Sequence, residues 1–256
     1  MSDTEQRIFE QYARHYEKGA QGIDRLPSDM AKLLRDRVPR YMKNIPRDAR
    51  ILDVGCAQGH LLAILQRTGF THLEGVDLSS PLIEQARVLV GSGVALHVAD
   101  AQSFLQRVPD GSYDVIFFHD VLEHVPREST IDVLREFYRA LVPGGFLSLR
   151  VPNMASLLAN YNAYIDFTHV TQFTEFALLQ VLEQAGFDAE AARLESQAPI
   201  LYWSWKKPHR AVLRLLNYMR WRLNNGFHRT IYKLSDVFPM PTVFDFNIIM
   251  TARKQP

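Results

Sequence analysis

The sequence predicts an α/β protein built on a mainly parallel sheet with helices on both faces. Three observations carry that expectation. Between residues 51 and 153, short apolar runs alternate with amphipathic segments of helical spacing. Glycine, proline or an acid marks most of the junctions between them. The composition, 47% hydrophobic and 22% charged over 256 residues, is that of an ordinary globular chain long enough for one large core with an appendage.

Taken in order, residues 4–18 and 28–43 read as helices, the second introduced by Pro27 and Ser28. Pro46 and Asp48 mark a turn. ILDVG (51–55) is a strand, and GHLLAILQRTG (59–69) a helix closed by Gly69. HLEGVDL (72–78) is a strand, followed by the helix PLIEQARVLV (81–90), with proline in its first turn. VALHVAD (94–100) is a strand, and AQSFLQRV a short helix. SYDVIFFHD (112–120) is a strand, ESTIDVLREFYRAL (128–141) a helix ended by PGG, and GGFLSLRVPN (144–153) a strand. Beyond it the regularity loosens. Residues 154–165 look helical, DFTHVTQFT (166–174) looks like a loop, and Thr174 is the expected N-cap of TEFALLQVLEQAGF. A strand is expected within 186–196, helical stretches within 200–240, and a closing strand in TVFDFNIIMTARK (242–254). The expected organisation is a helical cap over 1–45, a core over 46–199, a basic aromatic insertion over 200–240 and the final core strand over 241–256.

Cys56 is the single cysteine, so no disulfide forms within the chain, which fits a reducing compartment. The polar N-terminus has no apolar signal region, and no apolar run approaches the ~18 to 20 residues of a membrane span. The expectation is a cytoplasmic protein, or one peripheral at the inner membrane surface. The net charge of +1 conceals an asymmetry. Residues 1–200 hold 19 Lys/Arg against 26 Asp/Glu, whereas 201–256 hold 10 against 2. A basic region on an acidic body suits an anionic partner, and a solvated helical face is the plainer alternative.

In an open parallel sheet, ligands sit beyond the carboxyl ends of the strands. The first strand ends in DVGCAQGHL, where Gly55 and Gly59 permit a tight turn and close approach of a ligand to backbone. The second ends in Asp77, suited to the two hydroxyls of a ribose, and the third in Asp100 with Ala101, suited to an adenine. The loop G-C-A-Q-G lacks the close second glycine of a dinucleotide site.

These stretches (ILDVGCAQG, EGVDLS, HVADAQSF, YDVIFFHDVLEHV and ALVPGGFLSLRVPN) resemble the class I S-adenosylmethionine-dependent methyltransferases, over roughly residues 45–195. The resemblance implies a Rossmann-like, doubly wound sheet of seven strands with the last antiparallel. It implies that Asp53, Gly55 and Gly59 flank the methionine part of the cofactor, with Cys56 and Ala57 in the same loop. Asp77 and Leu78 are then expected at the ribose, Asp100 and Ala101 at the adenine, and His119 along the cofactor loop. Ala57 departs from the family, which usually has glycine there, and a positive φ at that residue would strain it.

The stretch HDVLEHVP (119–126) follows the fourth strand and so faces the methyl group. If Asp120 begins a helical turn, Glu123 and His124 share its face at i+3 and i+4. D-x-x-E-H resembles the E-x-x-E-H of ubiquinone-pathway and small-RNA O-methyltransferases, whose acids and histidine bind a divalent cation. His169, in the loop after the fifth strand, is expected to join Asp120, Glu123 and His124 around Mg2+ or another divalent ion. Alternatively His124 or His169, with Asp120, acts as acid/base without a metal, or the group only supports the loop. The acceptor pocket is expected to draw on Tyr161, Tyr164, Phe167 and Phe173, at least two of which are expected in the core.

The resulting expectation is an O-methyltransferase whose acceptor is a hydroxyl on a sugar of a glycan or lipid-linked precursor, in polysaccharide biosynthesis. A quinone- or phenol-type small molecule and a non-catalytic scaffold are the alternatives. The 200–240 segment, with Trp203, Trp205 and Trp221, is expected to meet an anionic membrane surface, the acceptor or a second subunit. No dedicated RNA-binding module is recognisable, so nucleic acid is not an expected partner.

Overall fold

The computed structural model describes residues 42–195, 197–199 and 208–256, with the side chains of 208–210 left aside. The two N-terminal helices read from the sequence lie outside the described residues, apart from Met42 and Lys43, which are in a turn. Seven strands are described: β1 Arg50–Val54, β2 His72–Asp77, β3 Ala95–Val98, β4 Tyr113–His119, β5 Leu141–Pro152, β6 Arg193–Leu194 and β7 Asn247–Arg253. Seven α-helices accompany them: α1 His60–Arg67, α2 Ser80–Val90, α3 Ala101–Leu105, α4 Arg127–Ala140, α5 Ala159–Tyr164, α6 Glu175–Gln184 and α7 Pro208–Leu234.

The strands form one sheet in the order β3-β2-β1-β4-β5-β7-β6. The first five in that order run parallel, and β7 is antiparallel to both β5 and β6. The expected seven-stranded sheet with an antiparallel last strand is therefore present. The order reverses beside β1, where the chain steps to β2 on one side and β4 on the other, so a crevice opens beyond their carboxyl ends.

Period-two alternation splits the apolar strands between two cores. Ile51, Val115 and Phe117 pack with Leu62 and Leu65 of α1 and with Ile83 and Ala86 of α2. Leu52, Val54, Ile116 and Phe118 point the other way, against Leu134 and Phe137 of α4 and Leu178 and Leu182 of α6. Because each strand is buried on both faces, polar positions inside the sheet stand out. Ser148, fully buried, and Arg150, 5% exposed, are two such positions in β5.

Three boundaries differ from the sequence reading, each for a hydrogen-bonding reason. β5 begins at Leu141 rather than at Gly144, because Leu141 pairs with Tyr113 before the register shifts. β6 is two residues long, since Asp188 Oδ1 accepts from the amides of Glu190 and Ala191 and turns the preceding chain. β7 begins at Asn247 because side chains occupy the backbone groups ahead of it. The buried Glu175 carboxylate accepts from the amides of Thr242 and Val243, and Asn153 Nδ2 donates to the carbonyls of Val243 and Asp245. Thr174 caps α6 as expected, its hydroxyl accepting from the Ala177 amide.

Candidate active site

The loop after β1 is built mainly by backbone. Gly55 and Gly59 have φ of 76° and 77°, and Ala57 between them has φ of 46°. The strain expected at Ala57 is thus present, since a Cβ disfavours left-handed backbone by about 1–2 kcal/mol. The loop is held against β2: the Gly55 and Cys56 amides donate to the Val76 carbonyl, and the Ala57 amide donates to Asp77 Oδ2 at 2.9 Å. Asp77 Oδ1 accepts from the Ser79 amide at 2.8 Å, so this acid ties the ends of β1 and β2 together. Helix α1 starts beyond Gly59 with no side-chain cap. Cys56 turns its thiol into the core, where burial and then Asp53 push its pKa upward. That thiol is no nucleophile, and only the Cys56 backbone borders the crevice.

Asp53 is buried and its pKa is pushed up to about 8, chiefly by burial and then by Asp77. Burial also raises Asp77, although the amides of Ser79 and Ala57 act against it. A buried acid beside a half-buried one creates an electrostatic demand that a ligand carrying a sulfonium and an ammonium group meets. Beside them Leu78 is 40% exposed, an apolar surface suited to a nucleoside. Asp100 caps α3 by accepting from the Ser103 amide, next to Ala101. Burial acts upward on its carboxyl, but that amide and neighbouring donors hold it below the usual range. The residues present therefore fit S-adenosylmethionine.

The loop after β4 is built by side chains. Asp120 does not begin a helical turn: its φ is 57°, in the left-handed region, and a 3-10 turn follows at Leu122–His124. The helical i+3/i+4 spacing counted from Asp120 consequently does not apply. Its carboxylate instead accepts from Arg150 Nη1 at 2.7 Å. Arg150 went unnoticed in the sequence, where a lone charge within the apolar run FLSLRVP was the available signal. His119 pairs its Nε2 with Ser148 Oγ at 2.9 Å, and its pKa is pushed down to about 3 by burial and then by Arg150. That bond holds the imidazole against β5. Leu122 enters the core.

Glu123, His124 and His169 converge, with one ligand atom of each lying within 4.8 Å of the others. Asp120, expected as a fourth member, is held at Arg150 instead. Backbone bonds explain the convergence across 45 residues of chain. The Glu123 carbonyl accepts from the amides of Val170 and Thr171 at 2.9 and 3.0 Å, and Thr171 Oγ1 donates to the Val125 carbonyl. The loop carrying His169 is thereby fastened to the turn carrying Glu123.

The imidazoles have defined tautomers. His124 Nδ1 lies 3.2 Å from the Thr168 carbonyl, which only accepts, and 2.8 Å from Thr168 Oγ1, whose proton goes to Asp166 Oδ1 at 2.7 Å. His169 Nδ1 lies 2.9 Å from the Asn162 carbonyl. Both Nδ1 atoms therefore carry protons. Burial and then His169 push the His124 pKa down to about 4. For Asp166 burial acts upward, but the hydrogen bonds from Thr168 hold it below its ordinary value. Glu123 is 3% exposed, and its Oε2 has no hydrogen-bond partner among the described residues. Burial, followed by Asp120, raises its pKa well above normal. An orphaned buried carboxylate beside two imidazoles fits a divalent cation held by mixed oxygen and nitrogen ligands. Asp166, Thr168 and Asn162, which set these tautomers, were not singled out in the sequence.

Of the four aromatics assigned to the acceptor pocket, Phe173 alone is in the core; Tyr161, Tyr164 and Phe167 are 61%, 83% and 88% exposed. The expectation that at least two would be core residues was wrong.

A family model described as a methyltransferase domain matches residues 26–192. The chain belongs to that family, within the S-adenosylmethionine-dependent class. A ubiquinone biosynthesis O-methyltransferase of Xanthomonas axonopodis is 31% identical over 188 residues, covering 68% of this chain and 75% of that protein. Phosphoethanolamine N-methyltransferase 1 of Arabidopsis thaliana is 29% identical over 151 residues, 56% of this chain but 30% of that protein. The chain thus spans under a third of the plant relative. The crystal structure of a SAM dependent methyltransferase from Archaeoglobus fulgidus shares the fold, with a TM-score of 0.64 at 23% identity, covering 95% of this chain and 100% of that one.

Proposed function

We propose that the protein is an S-adenosylmethionine-dependent O-methyltransferase that methylates a ring hydroxyl of a phenol or catechol with the help of a divalent cation. The observation that carries this reading is the convergence of Glu123, His124 and His169 beyond β4, beside the cofactor crevice. Similarity to a protein named for ubiquinone biosynthesis supports a quinone-type acceptor. The sugar acceptor expected from the sequence has no such support.

The cofactor supplies a methyl group already activated on a sulfonium, so the chain's task is to align the acceptor oxygen and lower the cost of its deprotonation. Asp77 would offset the positive charge of the donor, joined by Asp53 as the bound cation favours its ionised form, and the loop at Gly55–Gly59 would fix its position. Glu123, His124 and His169 would hold Mg2+ or a similar ion, which would supply acidification of the acceptor hydroxyl. Of the acid/base and metal roles expected for the histidines, the metal role fits better. With a pKa near 4, His124 is a weak base toward a phenol, whereas its unprotonated Nε2 suits a cation. Thr168 and Asn162 keep both imidazoles turned with Nε2 outward. The exposed rings of Tyr161, Tyr164 and Phe167 offer surfaces for an aromatic acceptor.

The test combines calorimetry with S-adenosylhomocysteine, Mn2+ binding followed by electron paramagnetic resonance, and methyl transfer to catechol. Expected are cofactor binding in EDTA, activity lost in EDTA and restored by Mg2+, and one bound Mn2+ that Glu123→Ala abolishes. The same variant should lose about 100-fold or more in kcat/KM while binding S-adenosylhomocysteine normally. Full activity in EDTA would reject the cation, and absence of S-adenosylhomocysteine binding would reject the methyltransferase reading itself.

A further inference from the structure

Helix α7 is 27 residues long, about 40 Å, and contains no Asp or Glu. One side of it packs on the body. Trp221 Nε1 donates to Asp245 Oδ1, His228 Nε2 accepts from the Leu157 amide, and Tyr232 Oη donates to the Ala155 carbonyl. The opposite side should be polar if it simply faced water. It is not. Val212, Leu216, Met219, Leu223, Phe227 and Leu234 recur at helical spacing on that side, and each is between 52% and 83% exposed. Arg220, Arg222, Arg229 and Lys233 are exposed along the margins of this stripe. Among the described residues, no helix is long and apolar enough to cross a membrane, so the stripe does not mark a span.

We propose that this outward face of α7 lies in the headgroup region of an anionic lipid surface, with its aliphatic stripe buried and its cations at the phosphates. The geometry is that of an interfacial amphipathic helix, in which apolar burial and charge attraction act together and long basic side chains reach from the stripe to the headgroups. Charge decides between this occupant and a second copy of the chain. Two α7 helices packed through the stripe would set the cations of one against those of the other, with no acid on either helix to answer them. Phe227 is the one ring among these six stripe residues, whereas single-stranded nucleic acid is gripped by several stacking rings in succession.

The docking face and the active site share one segment. The chain that α7 fastens at Ala155 and Leu157 runs on through exposed Leu158, Ile165 and Phe167 to Thr168 and His169. Docking would bring the acceptor entrance to the membrane, where a lipid-dissolved phenol or quinol is found. That last step rests on the proposed function; the docking does not.

The experiment is flotation of the full chain with vesicles of phosphatidylcholine alone and of phosphatidylcholine with about 30% phosphatidylglycerol. Binding is expected to the anionic vesicles at low salt, with at least a tenfold loss in about 0.5 M salt or on neutral vesicles. Leu216→Asp with Leu223→Asp, and separately Arg222→Glu with Arg229→Glu, should each lower binding about tenfold or more. Because these positions are exposed, both variants should keep wild-type S-adenosylhomocysteine affinity. That measurement separates failure of docking from failure of the methyltransferase reading. The proposal is overturned if the wild type does not float with anionic vesicles at low salt, or if the variants float as well as the wild type. It is also overturned if the wild type is a non-floating dimer that Leu216→Asp with Leu223→Asp dissociates.

Discussion

The loops after β1 and β4 meet at the same end of the sheet but are made in opposite ways. The first is a backbone device: two left-handed glycines, a strained alanine and amides bound to Asp77 and Val76. The second is a side-chain device, in which an ion pair and two oriented imidazoles surround a carboxylate with an unpartnered oxygen. The contrast follows from what each must meet. On the proposed function, the first loop meets a cofactor common to a whole class through features every residue shares, and the second meets an acceptor whose own chemistry needs particular donors. The two loops also touch, for a Cβ added at Gly55 would drive into Val121 Cγ2.

That contact gives the strongest way to break the comparison. Gly55→Ala should cost about 3 kcal/mol of stability, from left-handed strain and overpacking together. Adding Val121→Ala should recover the overpacking part, giving a coupling of at least about 1 kcal/mol in a double-mutant cycle of urea unfolding. Additivity would mean that the loops do not sense each other.

The side-chain device should be sensitive to its supports. Thr168→Val removes the hydroxyl between His124 and Asp166, and Mn2+ affinity should fall by about tenfold with cofactor affinity unchanged. Thr168→Ser should restore it, whereas a drop in both affinities would point to general damage to the fold.

Asp53 sharpens the comparison through pH. Its pKa rises from 3.8 unfolded to about 8 folded, so between those values the unfolded chain holds fewer protons than the native one. This group therefore lowers stability as pH rises from about 4 to about 8. Thermal melts of Asp53→Asn should move upward relative to wild type by a few degrees on going from pH 5 to pH 8. A constant offset would show that burial does not hold the native acid protonated. The smallest effect belongs to Ala57→Gly, which relieves the left-handed alanine and should stabilise by about 1 kcal/mol in the same urea experiment.

How much was legible followed the range of the interactions. β1, β2 and β4 could be read because strands buried on both faces are apolar runs closed by turns or acids. The cofactor acids could be read because they stand at those closures. Asp120 was misjudged because a left-handed φ leaves no mark on a residue that is also common at helix starts. Arg150 and Thr168 were missed because their roles depend on partners far along the chain, and Asn162 because it acts through its backbone carbonyl, which its residue type does not reveal. The basic charge of the last quarter was plain, but not that α7 turns its aliphatic side away from the body.

By itself, then, the sequence determined the alternation of strands and helices in the core, the glycine loop and the acids beside it. These rest on local periodicity and turn chemistry. The tertiary structure decided which titratable groups meet. It paired Asp120 with Arg150, fastened the His169 loop to the Glu123 carbonyl, and set both Nδ1 protons against carbonyl oxygens. The physical reason is that burial leaves a polar group only the partners the fold brings to it. The identity of the partner, and so the chemistry, is settled where distant segments close on one another.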